Sequence, residues 1–391
     1  MTMRFIHFAD THLGFSDLSK VDPTTGVNRR EQDFYDAWQH VIAASLERRP
    51  DFVLHAGDLF QSPRPNNRAI AVALEGLKRL HDANIPIFIV AGNHSTPRIR
   101  ATGNIFEALA ILPNVHAAYC GVYKKFIFTS PNGQERCAIH CIPHCSLSQD
   151  LEKAYADLQF EPSARWNILL THGSWRAAGK IDTRMGEFNE QFLEDPETRL
   201  DLTFDYIALG HFHRYVPIND HTFYSGSTER TSFNEAGYAS GYICGDLQTR
   251  EWEYVPIPSR PMLRLPPIDC RNQSVEEVML ALKERSSADL AGAMLTLEFR
   301  HLSRDLYLQL DTSALDKIFA QAFYLDKQFV FETEARGEPA GSSAMMMRLG
   351  SLREEFARYL LQRSNGALPR AELERLGEEY LAAVESAGLE A

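Results

Sequence analysis

Five short blocks of aspartate, asparagine and histidine stand out between residues 10 and 213 of this 391-residue chain. They are Asp10-Thr11-His12, Gly57-Asp58, Gly92-Asn93-His94, Thr171-His172-Gly173 and Gly210-His211-Phe212-His213. Carboxylate, amide and imidazole groups are hard-to-borderline ligands that together bind pairs of divalent cations. Two cations held about 3.5–4 Å apart clamp a phosphoryl group and generate hydroxide for in-line attack. The residue types therefore predict two-metal chemistry on a phosphoryl group.

The elements that position these blocks are predicted from apolar runs and helical periodicity. Strands at 5–9, 52–56 and 85–91 alternate with helices at 30–46 and 67–81, which indicates βαβ units and a parallel sheet. After residue 115 the apolar runs become shorter and indicate a β-rich second half. We expect an α/β fold in which two sheets pack on each other and helices flank them.

The blocks follow the ends of these predicted strands, where ligands gather in open α/β sheets. Asp10 and His12 are two residues apart, so both side chains should point to one side of an extended segment. Each block taken alone is more often a turn, and a single histidine is more often structural than a ligand. Five blocks in this order, each at a strand end, favour one shared site.

The last third of the chain is predicted to form two further parts. Five prolines between residues 256 and 267 indicate a domain boundary, because proline continues neither a sheet ladder nor a helix interior. A small α/β domain should follow, with helices at 274–286 and 314–323 and strands at 294–299, 306–310 and 329–333. Apolar stripes at 345–360 and 373–384 predict a helical tail. The predicted domains are therefore 1–260, 261–340 and 341–391.

Composition narrows the class of protein. A hydrophobic content of 44% and a charged content of 24% are those of an ordinary globular protein. No apolar run is long enough to cross a bilayer, no secretory signal is recognised, and six cysteines in so long a chain favour a reducing cytoplasm. The net charge of −12 argues against tight, independent DNA binding. It does not exclude a nuclease, because bound cations invert the local charge of a carboxylate-lined site.

The amino-acid sequence of several segments resembles that of a known family over roughly residues 3–245. These segments are FIHFADTHLG, DFVLHAGDLF, IFIVAGNH, GHFHRY and FYSGSTERTSFNEAG. They resemble the calcineurin-like metallophosphoesterases and, more specifically, the SbcD-type nuclease subunits of SbcCD double-strand-break repair complexes. The resemblance implies a four-layer αββα sandwich with a small α/β capping domain that binds DNA. It also implies a helical tail that docks on an SMC-like coiled-coil ATPase of the SbcC type; the alternative is a tail whose apolar stripes pack against this chain.

The resemblance also implies roles for the matched residues. One metal would be held by Asp10, His12 and His213, and the second by Asn93, His172 and His211, with Asp58 bridging them. His94 would act as the general acid or transition-state stabiliser. The metals implied are manganese, although the donor set alone also suits iron and zinc. The implied protein is a homodimeric exonuclease and endonuclease that acts on duplex ends and hairpins. A 3′–5′ exonuclease is expected, while the residues themselves leave the polarity open.

Two positions depart from the family pattern. Ser95 stands where the family usually has an aspartate that orients the preceding histidine, and Gln61 stands where some members have a histidine or an acid. Serine lacks the carboxylate charge, so we predict a less strongly held proton on His94 and a lower rate. Arg98 and Arg100 follow the His94 loop and are the best candidates for phosphate contacts.

Other interpretations of the chain stay open. A phosphoesterase acting on small molecules or phosphoproteins would carry the same core blocks, and a scaffold subunit could keep the fold without the activity. The cluster Cys137, His140, Cys141, His144 and Cys145 resembles a zinc site, but we interpret it as core cysteines beside a partly exposed histidine, His140. We expect His7 and His55 to be hydrogen-bonded core residues, and the acidic run 187–197 to be a solvated loop.

Overall fold

The computed structural model describes residues 2–18, 20–97, 103–175, 185, 190–332, 373 and 375–377. The chain divides after Glu332 into two units, and the sandwich and the small sheet belong to the unit that precedes this point. The predicted helical tail, apart from residues 373 and 375–377, lies outside the described residues, as do Arg98 and Arg100.

Strands occur along the whole chain from Arg4 to Phe331. In chain order they are β1 (Arg4–Phe8), β2 (Phe52–His55), β3 (Ile87–Val90), β4 (Val115–Ala118), β5 (Lys124–Thr129), β6 (Arg136–Ile142), β7 (Trp166–His172), β8 (Ser174–Trp175), β9 (Phe192–Leu193), β10 (Tyr206–Gly210), β11 (Tyr215–Pro217), β12 (Thr222–Ser225), β13 (Gly241–Asp246), β14 (Glu251–Pro256), β15 (Met262–Arg264), β16 (Ile268–Asp269), β17 (Met294–Leu302) and β18 (Tyr324–Phe331).

The helices between them are mostly capped by side chains. They are α1 (Arg29–Arg48), α2 (Asn67–Asp82), α3 (Ile105–Leu109), α4 (Ser148–Asp157), α5 (Pro196–Leu200), α6 (Val275–Arg285), α7 (Arg304–Gln309) and α8 (Thr312–Ile318). The side chains of Asn28 and Asn66 accept backbone hydrogen bonds at the starts of α1 and α2, which satisfies amide groups that have no partner within the helix. None of the described helices is both long enough and apolar enough to cross a membrane.

Two six-stranded sheets form the centre of the molecule. The first has the order β14-β13-β1-β2-β3-β4 and the second β11-β12-β10-β7-β6-β5. Strands β1 to β4 run parallel, as do β6, β7, β10 and β12, while β13 returns antiparallel to β1. The predicted parallel core and the predicted pair of sheets are therefore confirmed.

Apolar side chains fill the space on both faces of each sheet. Between the sheets, Phe52 and Phe88 of the first sheet share a cluster with Ile168 of the second. Trp38 of α1 packs in a separate cluster on the outer face of the first sheet, and Tyr155 of α4 packs in another on the outer face of the second. Burial of each such side chain contributes roughly 1.5–3 kcal/mol. The result is the expected four-layer αββα sandwich.

A third sheet follows the proline-rich stretch. It consists of β15, β17 and β16, with β18 pairing β17, and all its pairs are parallel. Helices α6 to α8 share a hydrophobic cluster with it. The Arg260 guanidinium binds Asp33 of α1 at 2.6 and 2.7 Å and the carbonyl oxygen of Gly292 at 2.9 Å, so it ties this sheet to the sandwich. A domain boundary at residue 260 stays a prediction.

One predicted strand of this small domain is wrong. Residues 306–309 lie in helix α7 and Leu310 caps its carboxyl end, while at its start the Ser303 side chain accepts a hydrogen bond from the Leu306 amide. The sequence LYLQL alternates like a strand, but Leu306 and Leu310 are buried four residues apart while Leu308 is 79% exposed. The buried residues therefore recur four positions apart, as on one face of a helix, and not every second position as in a strand. The neighbouring predictions also shift, since β18 begins at Tyr324 and α8 ends at Ile318.

The structure also tests the predictions for isolated histidines. His7 Nδ1 lies 3.0 Å from the Tyr206 hydroxyl and His55 Nε2 lies 2.8 Å from the Thr11 hydroxyl, and both rings are fully buried as expected. Burial is the largest cause that lowers the pKa of each to about 3. The prediction of a partly exposed His140 is wrong. This ring is fully buried because residues outside the second sheet, including Phe160 and Phe204, cover its face.

Candidate metal centre

The predicted ligands lie at the carboxyl ends of neighbouring parallel strands. In the first sheet Asp10, Asp58 and Asn93 follow β1, β2 and β3, which are adjacent. In the second sheet His172 ends β7, and His211 follows its neighbour β10. Because the two sheets pack face to face with these ends on one side, the two rows of polar side chains meet.

One group of side chains contains Asp10, His12 and His213, whose ligand atoms all lie within 4.8 Å of one another. All three residues are buried, and His12 Nε2 lies 3.0 Å from His213 Nε2. The main-chain amide of His211 donates to both oxygens of Asp10 at 3.0 Å. This group corresponds to the first predicted ligand set.

A second group contains Asn93, His172 and His211. The Asn93 Oδ1 atom lies 2.9 Å from His172 Nε2 and 3.3 Å from His211 Nδ1. Both histidines are buried. This group corresponds to the second predicted ligand set.

Asp58 lies between the two groups. One of its oxygens is 3.2 Å from His172 Nε2, and the other accepts the main-chain amide of His94 at 3.0 Å. Its carboxylate also belongs to a cluster with His12 and His94 in which all ligand atoms lie within 4.8 Å. The placement between both groups is the one that a bridging ligand requires.

The backbone around the ligands adopts an uncommon conformation. Asp10, His12, Asp58 and His211 have positive φ angles of 51°, 46°, 53° and 102°. The prediction of an extended segment for Asp10 and His12 is therefore wrong. Amide hydrogen bonds of 3.0 Å from Asp10 to the Gly57 carbonyl, and from His12 to the Asp58 carbonyl, hold the curved loop instead. Left-handed non-glycine residues cost roughly 1–3 kcal/mol each and concentrate at functional sites.

Two glycines of the blocks leave room for ligand side chains. A Cβ atom on Gly57, whose φ is +103°, would lie 2.2 Å from His172 Nδ1. A Cβ atom on Gly92 would lie 2.2 Å from an oxygen of Asp58. Real Cβ atoms essentially never approach another heavy atom closer than 3.0 Å. These two glycines are therefore required by the packing of the ligands themselves.

In His94, His172, His211 and His213, one ring nitrogen is bound by the protein outside the centre. His172 Nδ1–H donates to the Ala56 carbonyl at 2.8 Å, and His94 Nδ1–H donates to the Gln61 carbonyl at 3.1 Å. The other two bind carboxylates: His213 Nδ1 lies 3.0 Å from Glu235, and His211 Nε2 lies 3.2 Å from Glu190. A donor bond at one nitrogen leaves a lone pair on the other, which is the arrangement of metal-bound histidines.

The sequence reasoning missed Glu235 and Glu190 as parts of this site. Glu235 stands inside the family-like segment FYSGSTERTSFNEAG, so a signal for it was present. Glu190 belongs to the acidic run that was expected to be solvated, and at this position that expectation is wrong, because its side chain is only 6% exposed. Its neighbour Gln191 is also buried, and its side-chain amide donates to the His172 carbonyl at 2.8 Å.

The buried carboxylates at the centre need positive charge nearby to compensate their negative charge. Burial raises the pKa of Asp58, but the nearby rings of His172 and His94 outweigh it, and the pKa lies well below its usual range. Burial is the largest cause that raises the pKa of Asp10, and Asp58 adds to it. The pKa of His172 is raised, because its attraction to Asp58 and Asp10 exceeds the opposing effect of burial.

These observations fit a pair of divalent cations. Two fully buried carboxylates, an amide oxygen and imidazole lone pairs converge within a few ångströms, and His12 Nε2 and His213 Nε2 point at one another. Buried charges of this kind are stable when they are paired or when they coordinate metals. The donor set suits manganese, iron and zinc.

The remaining predicted residues lie beside the centre. Gln61 contributes its main-chain carbonyl to His94, a contact that does not depend on its side chain. Ser95 is fully buried, and its hydroxyl has no hydrogen-bond partner among the residues that the structure describes. Its carbonyl accepts a bond of 3.4 Å from the Asn104 side chain.

Comparison with known proteins assigns this arrangement to a class. The family model of calcineurin-like phosphoesterases matches residues 3–215, and the chain belongs to this family. The matched region contains all seven predicted ligands together with His94.

Individual relatives narrow the similarity further. The chain is similar to the DNA double-strand break repair protein Mre11 of Methanococcus maripaludis, with 32% identity over 277 residues, which cover 67% of this chain and 68% of that relative. It is also similar to the proteins of the same name from Thermoplasma acidophilum (32% identity, 61% of this chain, 58% of the relative) and Methanocaldococcus jannaschii (33% identity, 60% and 58%). The chain thus spans between 58% and 68% of the length of these relatives.

Proposed function

We propose that this protein is a metal-dependent DNA nuclease of double-strand-break repair that hydrolyses phosphodiester bonds with the help of two divalent cations. The observation that carries the proposal is the convergence of seven ligand side chains from two sheets into one buried centre. The similarity to proteins named for DNA double-strand break repair selects DNA from the substrates that this family of phosphoesterases could take.

Each cation has its own ligand set in this proposal. Asp10, His12 and His213 hold the first, while Asn93, His172 and His211 hold the second, and Asp58 serves both. When bound, two such cations offset phosphate charge and lower the pKa of water so that a nucleophile is available near neutral pH. We propose manganese as the physiological metal.

His94 is the proposed general acid. Its Nδ1–H donates to the Gln61 carbonyl at 3.1 Å, so the ring is held with Nε2 as the nitrogen that can serve the substrate. An imidazolium proton at Nε2 can pass to the leaving oxygen of the cleaved ester. Groups in this role contribute about 10²–10⁴-fold to the rate.

The proposed substrates and partners follow from the resemblance of the sequence. Duplex ends and hairpins are the expected DNA substrates, with 3′–5′ exonuclease polarity and endonuclease activity. Residues 261–340 act as a capping domain that helps to sort duplex from single strand, and residues 341–391 dock on an SMC-like coiled-coil ATPase. A homodimer in the cytoplasm completes the assembly. The net charge of −12 is consistent with a nuclease whose partner supplies part of the grip on DNA.

The test uses linear duplex DNA labelled at either end and incubated with Mn²⁺. Asp58→Asn removes the shared carboxylate charge at nearly constant size. Asp205→Asn is the matched control, because Asp205 accepts the Asn167 amide at 2.8 Å in the second sheet, at the strand ends that carry no ligands. We expect the wild type and the control to cleave DNA at similar rates. Asp58→Asn should cleave at least 100-fold more slowly.

Other outcomes would identify a different function. Hydrolysis of a nucleotide phosphodiester without cleavage of DNA would favour a small-molecule phosphoesterase. Metal binding without hydrolysis of either substrate would favour a scaffold subunit. Release of the 5′ label as a mononucleotide, with the 3′ label retained, would contradict the proposed polarity.

A further inference from the structure

Two carboxylates reach the candidate centre from segments that carry none of its ligands. Glu190 precedes β9, and Glu235 lies in the 3₁₀ turn Phe233–Glu235 after β12. Their side chains are 6% and 9% exposed, and each contacts a different histidine of the Gly210–His213 block. The two histidines belong to different proposed ligand sets.

Glu235 is held firmly in its position. Its Oε1 atom accepts the Thr231 hydroxyl at 2.6 Å and lies 3.0 Å from His213 Nδ1, while Oε2 accepts the Thr231 amide at 2.8 Å. The turn itself is fastened to the third sheet, where the Arg264 guanidinium donates to the Phe233 carbonyl at 2.6 Å. With Nδ1 bound in this way, His213 presents Nε2 towards His12 Nε2.

Glu190 plays the corresponding part at the other histidine. Its Oε1 atom lies 3.2 Å from His211 Nε2 and accepts the Met185 amide at 2.8 Å and the Ser174 hydroxyl. With Nε2 bound, His211 presents Nδ1 to the Asn93 side-chain oxygen. The two histidines therefore use opposite ring nitrogens, and each carboxylate selects which nitrogen faces the centre.

We propose that Glu190 and Glu235 are positioning residues, each of which fixes the ring orientation and the tautomer of one metal-binding histidine. Glu235 acts on the cation held by Asp10, His12 and His213, and Glu190 acts on the cation held by Asn93, His172 and His211. A carboxylate behind a histidine also makes the ligating nitrogen more basic. This inference rests on the proposed two-metal function.

The experiment measures binding of Mn²⁺ by titration calorimetry, and the electron paramagnetic resonance signal of the bound ions, in the full chain. Glu235→Gln and Glu190→Gln keep the shape of the side chain and remove its charge. Glu197→Gln is the matched control, because Glu197 lies 3.0 Å from His221 Nε2 and neither residue belongs to the ligand sets. Thermal unfolding of each variant in excess chelator reports whether the metal-free fold has changed.

We expect each of the two variants to weaken the binding of one of the two Mn²⁺ ions by roughly 10–100-fold. This is the range typical of groups that support metal ligands. At Mn²⁺ concentrations between the two affinities, the signal of a coupled pair should give way to the six-line signal of a single ion. The control should bind both ions as the wild type does, and all variants should unfold at similar temperatures in chelator.

Failure of the inference can be separated from failure of the proposed function. A wild type that binds fewer than two Mn²⁺ ions overturns the function. A wild type that binds two ions, with both glutamine variants binding them equally well, overturns the inference alone. If a glutamine variant does not fold, Thr231→Val or Ser174→Ala removes one hydrogen bond to the carboxylate instead. Unchanged Mn²⁺ affinity in these variants would also contradict the inference.

Discussion

Replacing Gly57 with alanine should damage the metal centre much more than it destabilises the fold. The added Cβ atom would lie 2.2 Å from His172 Nδ1, about 1.2 Å short of the 3.4 Å at which ordinary van der Waals contact begins. The same nitrogen donates to the Ala56 carbonyl at 2.8 Å, so the imidazole cannot move without loosening this bond. His172 must therefore shift by roughly 1 Å, a displacement that costs catalysis about 100-fold.

The cost to stability has a separate origin. Gly57 has a φ of +103°, and an L-residue in this region costs roughly 1–2 kcal/mol. Alanine also restricts the unfolded chain, which offsets about 0.4–1 kcal/mol. We expect the backbone conformation alone to lower the free energy of unfolding by about 1 kcal/mol, with the contact to His172 adding to this.

Gly133→Ala separates the two effects. Gly133 has a φ of +72°, and no atom lies within 4 Å of the position its Cβ would take. Urea unfolding should show a loss of about 1 kcal/mol for this control, while Mn²⁺ binding and DNA hydrolysis stay at the wild-type level. Gly57→Ala should lose hydrolysis about 100-fold and bind Mn²⁺ more weakly. Hydrolysis by Gly57→Ala within threefold of the control would refute the reasoning.

Three further predictions concern pH, the departure at position 95 and the end of the chain. The pKa of His7 and His55 is the ordinary 6.5 in the unfolded chain and about 3 in the folded protein, so both rings are neutral when buried. Their contribution to the free energy of unfolding is fully present above pH 6.5 and is lost as the pH falls towards 3. Each should lower the free energy of unfolding by about 2 kcal/mol between pH 6.5 and 4.5, and a denaturation series in which His55→Gln keeps the full wild-type slope would contradict this. Ser95→Asp should raise the rate of metal-dependent hydrolysis and move its pH profile to higher pH; an unchanged rate and profile would show that the Gln61 carbonyl suffices to hold His94. Deletion of residues 345–391 should abolish association with the ATPase in a pull-down while phosphodiesterase activity remains, whereas loss of folding would show that the tail belongs to the core of this chain.

Much of the core fold was predictable because its signals are local. The apolar runs that end at Asp10, Asp58 and Asn93 became β1, β2 and β3 within two residues of the predicted bounds. Side-chain caps such as Asn66 at the start of α2 are equally local. Prediction failed at residues 306–310, because the apolar residues there fit both a two-residue and a four-residue period. The buried face was decided by packing in the third sheet.

Other predictions failed because the outcome depends on contacts between residues that are distant along the chain. An extended loop at Asp10 and His12 is the local expectation, but bonds to Gly57 and Asp58 curve it. An acidic run is usually solvated, but the Glu190 side chain is buried in the site, where it lies 3.2 Å from His211 Nε2. Neither outcome has a local cause, since both depend on partners between 21 and about 47 residues away.

The order and type of the ligand residues are properties of the sequence alone, and they already specify which atoms could bind cations. The sequence alone does not specify the distances between those atoms. They arise because parallel strands place their carboxyl ends side by side, and because the two sheets pack face to face through a shared apolar cluster. Tertiary structure also chose which ring nitrogen each histidine presents, since that choice depends on acceptors such as Ala56 and Glu235 that lie far from the histidine in the chain. Hydrogen bonds and close packing act over a few ångströms of space regardless of separation along the chain, so only the folded molecule could decide them.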